Sequence, residues 1–212
     1  MYTPPHFRAH SEDELYELME KFSFATLVSA ALEGPPTATL APFVLRRDAT
    51  NRRRLWGHIA RANPQSQSLA ENREVLVIFR GPDAYVSPSW YEDSPNVPTW
   101  NFTVVHAYGF PRLLAPDHWR TRWILEQTVD QYESRLEVPW RLEVSAGYFA
   151  SLVQGVVAFE IEVTRLEGQF KLSQNHSRAN RLGVIAGLER RPDTAARELA
   201  RIMREREGKA EI

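Results

Sequence analysis

One long stretch of alternating side chains restricts the folds open to this chain more than any other feature. Between residues 98 and 114, bulky apolar residues alternate with mostly small ones, as they do along a β-strand. A strand of this length usually bends through the wall of a barrel, so the stretch predicts a mainly β fold built around a barrel. One face would carry Trp100, Phe102, Val104, His106, Tyr108 and Phe110, and the other Asn101, Thr103, Val105, Ala107 and Gly109.

Shorter β patterns flank this strand on both sides. The predicted strands cover residues 24–29, 37–45, 54–60, 75–79, 84–87 and 156–166. Turns at residues 33–36 and 46–51 indicate that the first three are sequential antiparallel hairpins, and Gly81-Pro82 separates the fourth from the fifth. The pattern predicts six or seven mostly antiparallel strands with peripheral helices.

Helical patterns occur at both ends of the chain and twice between the strands, the first time over residues 65–71. Ser11 and Glu14 have the spacing of a capping box, which predicts a short amphipathic helix there. We predict a barrel domain over residues 1–170 and a C-terminal helical extension over residues 171–212 packed on it, as a single structural unit. The other predicted helices cover residues 116–136 and 174–188 and the chain after Pro192-Asp193.

Composition excludes several kinds of protein. The chain has 212 residues and no cysteine, which excludes disulfides, thiolate metal sites and a cysteine nucleophile. Its formal net charge of −1 argues against attraction of the whole chain to nucleic acid. No apolar run approaches the ~20 residues that span a membrane, and the first residues do not form a secretory signal. We therefore expect a cytoplasmic protein with no membrane partner.

The segment from Gly57 to Gln65 has the features of an anion site. It lies where a predicted strand is followed by a helix, with Asn63 as the N-cap and a proline after it. The N–H groups of a helix N-terminus attract anions, Arg61 can grip a phosphate with two N–H groups, and His58 could add a third donor. The alternative, in which Asn63 merely caps the helix and Arg61 is solvated, is equally consistent with the spacing.

A second polar cluster follows the last predicted strand. Lys171, Ser173, Gln174 and Asn175 bring an ammonium, a hydroxyl and two amides to the start of a predicted helix. From the residues alone, Ser173 is interpreted as a plain N-cap. If this stretch lies beside Arg61, Lys171 adds positive charge to the phosphate site.

The tryptophans, histidines and arginines allow more than one interpretation. Trp90 and Trp100 suit stacking on a flat ring or packing at a subunit interface, but core packing is favoured for Trp100 because its strand face is aromatic throughout. His106 on that face is interpreted as a hydrogen-bonded core residue. The arginines within residues 46–54 are interpreted as a solvated hairpin tip. No His-Glu-x-x-His spacing occurs, and His6 and His10, four residues apart, lie in a proline-rich start, so no metal site is predicted. The absence of a glycine-rich phosphate loop argues against a P-loop enzyme.

These motifs resemble the PaiB family when they are taken jointly. Two positions depart from the family's pattern. Ser66 stands where an aromatic residue usually follows Asn-Pro-Gln, and Asn180 stands where an acidic residue usually precedes Arg181. The segments that carry the resemblance occur in order and are MYTP (1–4), GHIARANPQ (57–65), GPDAYVSPSWY (81–91), VPTWN (97–101) and KLSQN (171–175).

The resemblance implies an FMN-binding split β-barrel related to the pyridoxamine-phosphate-oxidase-like proteins. These are typically homodimers with flavin at the subunit interface, and the family carries the label of negative transcriptional regulator. It also favours the phosphate interpretation of residues 57–65 over its alternative, while it identifies no catalytic residue. The cofactor-binding residues that it implies are His58, Arg61, Asn63, Trp100, Asn101, Lys171, Gln174 and Asn175.

Three functions are open at this point. The first is a flavin-dependent oxidoreductase, in which the flavin carries the redox chemistry. The second is a regulator that acts through DNA or a protein partner without catalysis, although residues 177–188 are only a faint candidate for a DNA-reading helix. The third is a haem-binding split barrel, for which His58, His106 or His176 would be the axial ligand.

Overall fold

Six strands and six α-helices form among the residues that the computed structural model describes, namely 1–30, 34–47 and 52–209. The strands are β1 (Phe24–Ser29), β2 (Thr37–Arg47), β3 (Arg53–Ala60), β4 (Val75–Val86), β5 (Thr99–Leu114) and β6 (Val156–Lys171). The helices are α1 (Glu12–Lys21), α2 (Gln65–Ala70), α3 (Trp119–Glu133), α4 (Ala146–Gln154), α5 (Arg178–Glu189) and α6 (Thr194–Lys209). Short 3₁₀ turns cover Pro5–Phe7 and Pro88–Trp90.

The strands close into a barrel in the order β1-β2-β3-β6-β5-β4. β1 pairs antiparallel with β2 and β4, and β3 pairs antiparallel with β2 and β6. The mainly β, mostly antiparallel barrel with peripheral helices is therefore confirmed. In the β2–β3 pairing, Arg46 lies opposite Arg54 and Arg47 lies opposite Arg53. The turns predicted at residues 33–36 and 46–51 fall partly outside the described residues.

β4 is one continuous strand, so the two strands predicted on either side of Gly81-Pro82 are wrong. Gly81 does not end the strand but allows a close approach to another one. A Cβ atom at this position would lie 2.1 Å from Thr103 Oγ1. A glycine in a strand often marks such an approach of a neighbouring backbone or side chain.

The face of β5 that carries small side chains is buried, although the aromatic residues on its other face suggest that the other face is buried. The aromatic face is directed outward, with Trp100 54% and Phe110 46% exposed. Phe43 packs edge-on against Phe79 and Phe159 in the core, and all three are fully buried. β5 therefore directs its short side chains inward, and its bulky face lies outside. Core packing of Trp100 is therefore wrong, and His106 is half-buried on the same outer face. The buried residues of the strand's first part are Asn101, Thr103, Val105, Ala107 and Gly109.

The N-terminal helix follows the capping rules that its sequence predicts. The Glu14 N–H donates to Ser11 Oγ at 3.2 Å, and the His10 N–H donates to a Glu14 carboxylate oxygen at 2.8 Å. Two donors at the start of α1 are thereby satisfied by side chains, and the predicted helix is confirmed.

The other helices differ from prediction at their starts. α3 begins at Trp119 rather than at residue 116, and His118 is its N-cap. The helix predicted from residue 174 begins at Arg178, with Ser177 as the N-cap. α4 was not predicted, because its sequence AGYFASLVQ is short and apolar, and such a run does not distinguish a helix from a strand.

Contacts divide the chain into two compact units, each described by itself below. The first unit contains Met1–Leu18, Arg80–Val105 and the residues from Glu167 on, and the second contains Met19–Phe79 and His106–Leu166. The chain passes from one unit to the other within α1, β4, β5 and β6. The predicted division at residue 170 stays a prediction. Within the described ranges, no helix combines the length and the apolar character needed to cross a membrane.

Candidate functional site

Arg61 lies directly after β3 in the second unit, and the main chain around α4 holds its side chain. Its Nε donates to the Gln154 carbonyl oxygen and its Nη2 to the Val156 carbonyl oxygen, both at 2.6 Å. Its own N–H donates to the Gly155 carbonyl oxygen at 2.9 Å. The residue is exposed, and no described residue forms a carboxylate ion pair with it. Its orientation is therefore fixed while its charge stays available.

Asn63 fixes the turn between β3 and α2. Its Oδ1 accepts a hydrogen bond from the Gln65 N–H at 3.0 Å, and its Nδ2 donates to Thr39 Oγ1 at 2.9 Å. The side chain thus satisfies a free N–H at the start of the helix, although the helix begins at Gln65 and Pro64, not Asn63, occupies its N-cap position. Both ends of its amide are engaged within the protein, so the residue serves the geometry of the turn.

Gln65 is a residue of this turn that sequence patterns did not identify. It is buried, and its Nε2 donates to the Leu27 carbonyl oxygen and Ser29 Oγ at 3.0 Å each and to the Thr37 carbonyl oxygen at 3.2 Å. These partners lie in β1 and β2. The first residue of α2 is thereby tied to the barrel wall, which holds Asn63 and Arg61 in a defined place.

His58 is half-buried on β3, three residues before Arg61. Burial lowers the pKa of His58 below its ordinary value of 6.5, because the charged imidazolium is poorly solvated there. The ring is therefore neutral at pH 7. Its Nδ1 is buried and has no hydrogen-bond partner among the described residues, which is uncommon for a buried polar atom.

Lys171 is the corresponding cation of the first unit. It ends β6, is half-buried, and its Nζ donates to Thr99 Oγ1 at 2.5 Å. Burial lowers the pKa of Lys171. Among the described residues no carboxylate pairs with this ammonium. It is thus a partly desolvated positive charge that donates to a neutral hydroxyl, and such a charge favours an anionic partner.

The residues after Lys171 form a tight turn rather than the start of a helix. Ser173 is buried with φ +64, and its Oγ accepts a hydrogen bond from Asn101 Nδ2 at 2.9 Å. The N-cap interpretation of Ser173 is therefore wrong. Gln174 accepts from the Leu172 N–H at 2.7 Å and donates to the Phe170 carbonyl oxygen at 2.5 Å, so both ends of its amide stabilise the turn.

Asn101, Trp100 and Asn175 are placed in three different environments of the first unit. Asn101 is fully buried, and its Oδ1 has no hydrogen-bond partner among the described residues. Asn175 is exposed. Trp100 packs edge-on against Tyr85, with ring centroids 6.1 Å apart. Trp100 also borders a cavity of about 340 Å³, which is lined further by Arg80, Asp83, Phe102, Thr103 and Val104.

A flat pair of rings lies near this turn in sequence and was not predicted. Tyr91 and His176 stack at 4.7 Å with an interplanar angle of 22°. Asn180 links the neighbouring segments, since it donates to an Asp93 carboxylate oxygen at 2.8 Å and accepts from the Glu92 N–H at 2.9 Å. The only sequence signal was the family's SPSWY segment, which names the residues but not their contacts.

A buried carboxylate in the second unit is also absent from the sequence-based predictions. Glu160 is 3% exposed and accepts two hydrogen bonds from Arg112, at 2.9 and 2.6 Å, and one from Arg120 at 2.9 Å. Arg54 and Trp56 donate to it at 3.4 Å each. Three arginines therefore surround one carboxylate, and the cluster carries excess positive charge.

Opposing effects set the pKa of Glu160. Burial by itself raises the pKa, but the hydrogen bond from Arg112 and the charges of Arg112, Arg54 and Arg120 outweigh it and hold the pKa below the ordinary value of 4.5. Glu160 is thus ionised at pH 7. Within the described residues, no group of three His, Cys, Asp or Glu side chains is arranged to hold a metal ion.

Each unit by itself has donors that suit a phosphate-bearing ligand. Arg61 has N–H groups left after its two carbonyl contacts, Lys171 is a half-buried ammonium, and His58 has an orphaned ring nitrogen. A phosphate offers several strong acceptor oxygens and negative charge. Arg54, Arg112 and Arg120, by contrast, already have carboxylate partners.

Comparison with known proteins agrees with this chemistry. The family described as "Putative FMN-binding domain" matches residues 1–165. The chain is 32% identical over 208 residues to the protease synthase and sporulation protein PAI 2 of Bacillus subtilis, which covers 97% of this chain and 98% of that protein.

Solved structures share the fold at low sequence identity. A conserved hypothetical protein of Mycobacterium tuberculosis superposes with a TM-score of 0.60 at 12% identity, over 84% of this chain and 95% of that one. The FAD and haem binding protein of Mycobacterium smegmatis gives a TM-score of 0.57 at 16% identity, over 82% and 78%. The family match and the Bacillus subtilis relative show that the chain belongs to the PaiB family of FMN-binding split β-barrels, with FMN as its cofactor.

Proposed function

We propose that this protein is an FMN-dependent redox protein and that Arg61 grips the phosphate of the flavin. The observation that carries this proposal is the state of Arg61. Two main-chain carbonyls hold its guanidinium in place, yet no described carboxylate neutralises it. A fixed, uncompensated guanidinium is the kind of group that binds phosphate strongly, because its charge and its remaining N–H groups are both available.

His58 and Asn63 support Arg61 in different ways. Asn63 positions the turn that carries Arg61, because both ends of its amide are bound within the protein. His58 offers its orphaned Nδ1 to the ligand. Since burial keeps the imidazole neutral, its contribution is a hydrogen bond rather than a charge.

The residues of the first unit supply a second set of contacts. Lys171 contributes its ammonium to an anionic part of the ligand. Gln174 and Asn101 hold the turn after Lys171, one by bridging Leu172 and Phe170 and the other by donating to Ser173. Trp100 and the exposed Asn175 are the proposed contacts of the flat ring and the ribityl chain.

Bound FMN supplies the redox chemistry, since a flavin can accept and return a hydride or single electrons. The part played by this chain is to bind and orient the cofactor. Partial burial of Lys171 and His58 indicates that water is restricted around these groups, which strengthens their interactions with a charged ligand.

We further propose that the protein is a homodimer with flavin at the subunit interface. The support is the outward aromatic face of β5, on which Trp100 and Phe110 are about half exposed. Large apolar side chains in this quantity on one strand face are typical of protein interfaces.

A regulatory role without catalysis is the second candidate. The same exposed face of β5 favours it, because the face could bind a different protein as well as a second copy. The Bacillus subtilis relative is named for protease synthesis and sporulation, which is consistent with regulation through a partner. Haem binding is the third candidate, and the fold shared with an FAD and haem binding protein supports it.

The absorption spectrum of the purified protein, with mass identification of the released ligand, separates these candidates. We expect flavin bands, released FMN and bleaching of the bands by a nicotinamide hydride donor. Flavin bands that resist every hydride donor would favour the regulatory role. A Soret band would favour haem, and a protein that remains colourless after addition of FMN would contradict the cofactor assignment.

A further inference from the structure

The guanidinium of Arg61 also closes the C-terminal end of α4. Its Nε and Nη2 donate to the carbonyls of Gln154 and Val156, and its main-chain N–H donates to the carbonyl of Gly155. The last carbonyls of a helix have no partner within the helix. A cation at this end also interacts favourably with the helix dipole. Arg61 is therefore the C-terminal anchor of α4.

Other contacts also stabilise α4, since Ser145 caps its N-terminus and the Arg122 guanidinium lies 4.6 Å from the Phe149 ring. The helix is nine residues long, and only Phe149 and Val153 of its side chains are buried. Tyr148 is 57% and Leu152 38% exposed, and a Cβ atom at Gly147 would meet nothing within 4 Å. Helices shorter than ~12 residues are marginal without tertiary packing, so the three hydrogen bonds from Arg61 add to what holds this one.

The two roles of Arg61 use different edges of its guanidinium. The carbonyls take one N–H of Nε and one of Nη2, which leaves the N–H groups of Nη1 and the second of Nη2. A phosphate can therefore bind while the helix contacts persist. Phosphate binding and the contacts with the carbonyls both require the guanidinium to be held in one orientation. Whichever of the two forms first meets the entropic cost of that ordering, so the other then forms more favourably.

We propose that phosphate binding at Arg61 and the order of α4 are coupled, so that FMN stabilises α4 and α4 in turn increases the affinity for FMN. This inference rests on the proposed role of Arg61 in the phosphate site. Because coupling between two events is reciprocal, a change made in α4 must alter FMN affinity without touching any proposed ligand contact. The exposed apolar side chains of α4 would then be presented in a flavin-dependent way.

Hydrogen exchange of the full chain, followed by mass spectrometry, tests the coupling. We expect saturating FMN to slow amide exchange in residues 146–156 about ten-fold, which corresponds to one charge-assisted hydrogen bond. Riboflavin at saturation lacks the phosphate and should leave exchange in α4 unchanged. Equal protection by both ligands, or saturation by FMN in a fluorescence titration with no change in α4, would overturn the coupling and leave FMN binding intact. Absence of FMN binding would overturn the proposed function, and the coupling with it.

Variants test the same link without depending on the phosphate. In the absence of ligand, Arg61→Ala should speed exchange in α4 about ten-fold, while peptides from α5 stay unchanged. Unchanged exchange in α4 of that variant would contradict the anchoring role. Ala150→Gly in the exposed part of α4 should weaken FMN binding by up to about five-fold, and Ala195→Gly in α6 is the matched control. Equal FMN affinity of the two glycine variants would also overturn the coupling.

Discussion

At the scale of single residues, the state of Arg61 leads to a direct prediction about affinity. Arg61→Ala should weaken FMN binding about ten- to a hundred-fold, because a charge-assisted contact with phosphate is lost. The barrel should remain folded, since the residue is exposed and lies outside the core. Fluorescence titration measures the affinity, and far-UV circular dichroism checks the fold.

Two controls define the outcome for Arg61. Arg141→Ala removes another exposed arginine of the same unit and should leave FMN affinity unchanged. Wild-type protein should prefer FMN over riboflavin, and the Arg61 variant should lose most of that preference. An Arg61 variant with unchanged flavin affinity would rule out this residue as the phosphate ligand.

The cluster around Glu160 predicts a pH dependence of stability. The pKa of Glu160 is lowered in the folded protein, so its contribution is present above the unfolded pKa of about 4.3 and is lost as the pH falls through the lower folded pKa. Glu160→Gln should lower the free energy of unfolding by about 3 kcal/mol at pH 7, because Arg112 and Arg120 lose their ionised partner and Arg54 keeps only Glu162.

Urea unfolding at several pH values measures this effect. The stability difference between wild type and Glu160→Gln should be constant at neutral pH and should shrink progressively below about pH 4. Glu126→Gln removes an exposed carboxylate that pairs with Arg122 and should cost less than about 1 kcal/mol. A Glu160 variant as stable as wild type at pH 7 would contradict the structural importance of the cluster.

Local sequence patterns identified Asn63 but did not identify Glu160. The contact of Asn63 with the start of α2 involves only the next two residues, Pro64 and Gln65, so spacing alone identified it. Glu160 was missed because the arginines around it come from β3, β5 and the start of α3. Alternation along β6 placed Glu160 on the outer face of the strand, where a carboxylate is ordinarily solvated. The sequence did not show that α3 packs on that face. In the structure, Ile124 of α3 and Trp56 of β3 belong to one buried cluster.

At the scale of elements, two glycines make a matched pair for measuring close packing. A Cβ atom at Gly109 in β5 would lie 2.1 Å from the Glu162 carbonyl oxygen. Gly109→Ala should therefore cost about 1–3 kcal/mol of unfolding free energy, because the backbone must move. Gly147→Ala in α4 meets nothing within 4 Å and should stabilise by up to about 1 kcal/mol, because alanine favours a helix. Thermal or urea unfolding of both variants gives the comparison, and equal effects would contradict it.

The position of a strand in the sequence was easier to predict than which of its two faces is buried. The alternation along residues 98–114 identified β5 nearly to its ends, because a period of two is a property of the local chain. Which face is buried depends on the width of the barrel, which is set by strands far away in sequence. The small residues of β5 face a core that holds Phe43, Phe79 and Phe159 from other strands, whereas hydrophobicity alone favours burial of Trp100.

At the scale of the whole molecule, the outward face of β5 predicts self-association. Phe110→Asp should shift a dimer to monomers in sedimentation equilibrium, because a charge at an apolar interface is costly. Trp119→Asp is the control, since Trp119 is 65% exposed but lies on α3 rather than β5. If both variants sediment like wild type, the face of β5 is not the interface, and if wild type is monomeric, the dimer is excluded.

The continuity of β4, β5 and β6 through both units has a consequence for how this protein can be shortened or recombined. A chain truncated after residue 165 would end inside β6 and would lack Lys171, the last residue of that strand. Neither unit is a single piece of chain, so neither can be transplanted into another protein as a module. We expect the two units to be inherited together, and truncated products to be degraded rather than to persist as smaller working proteins.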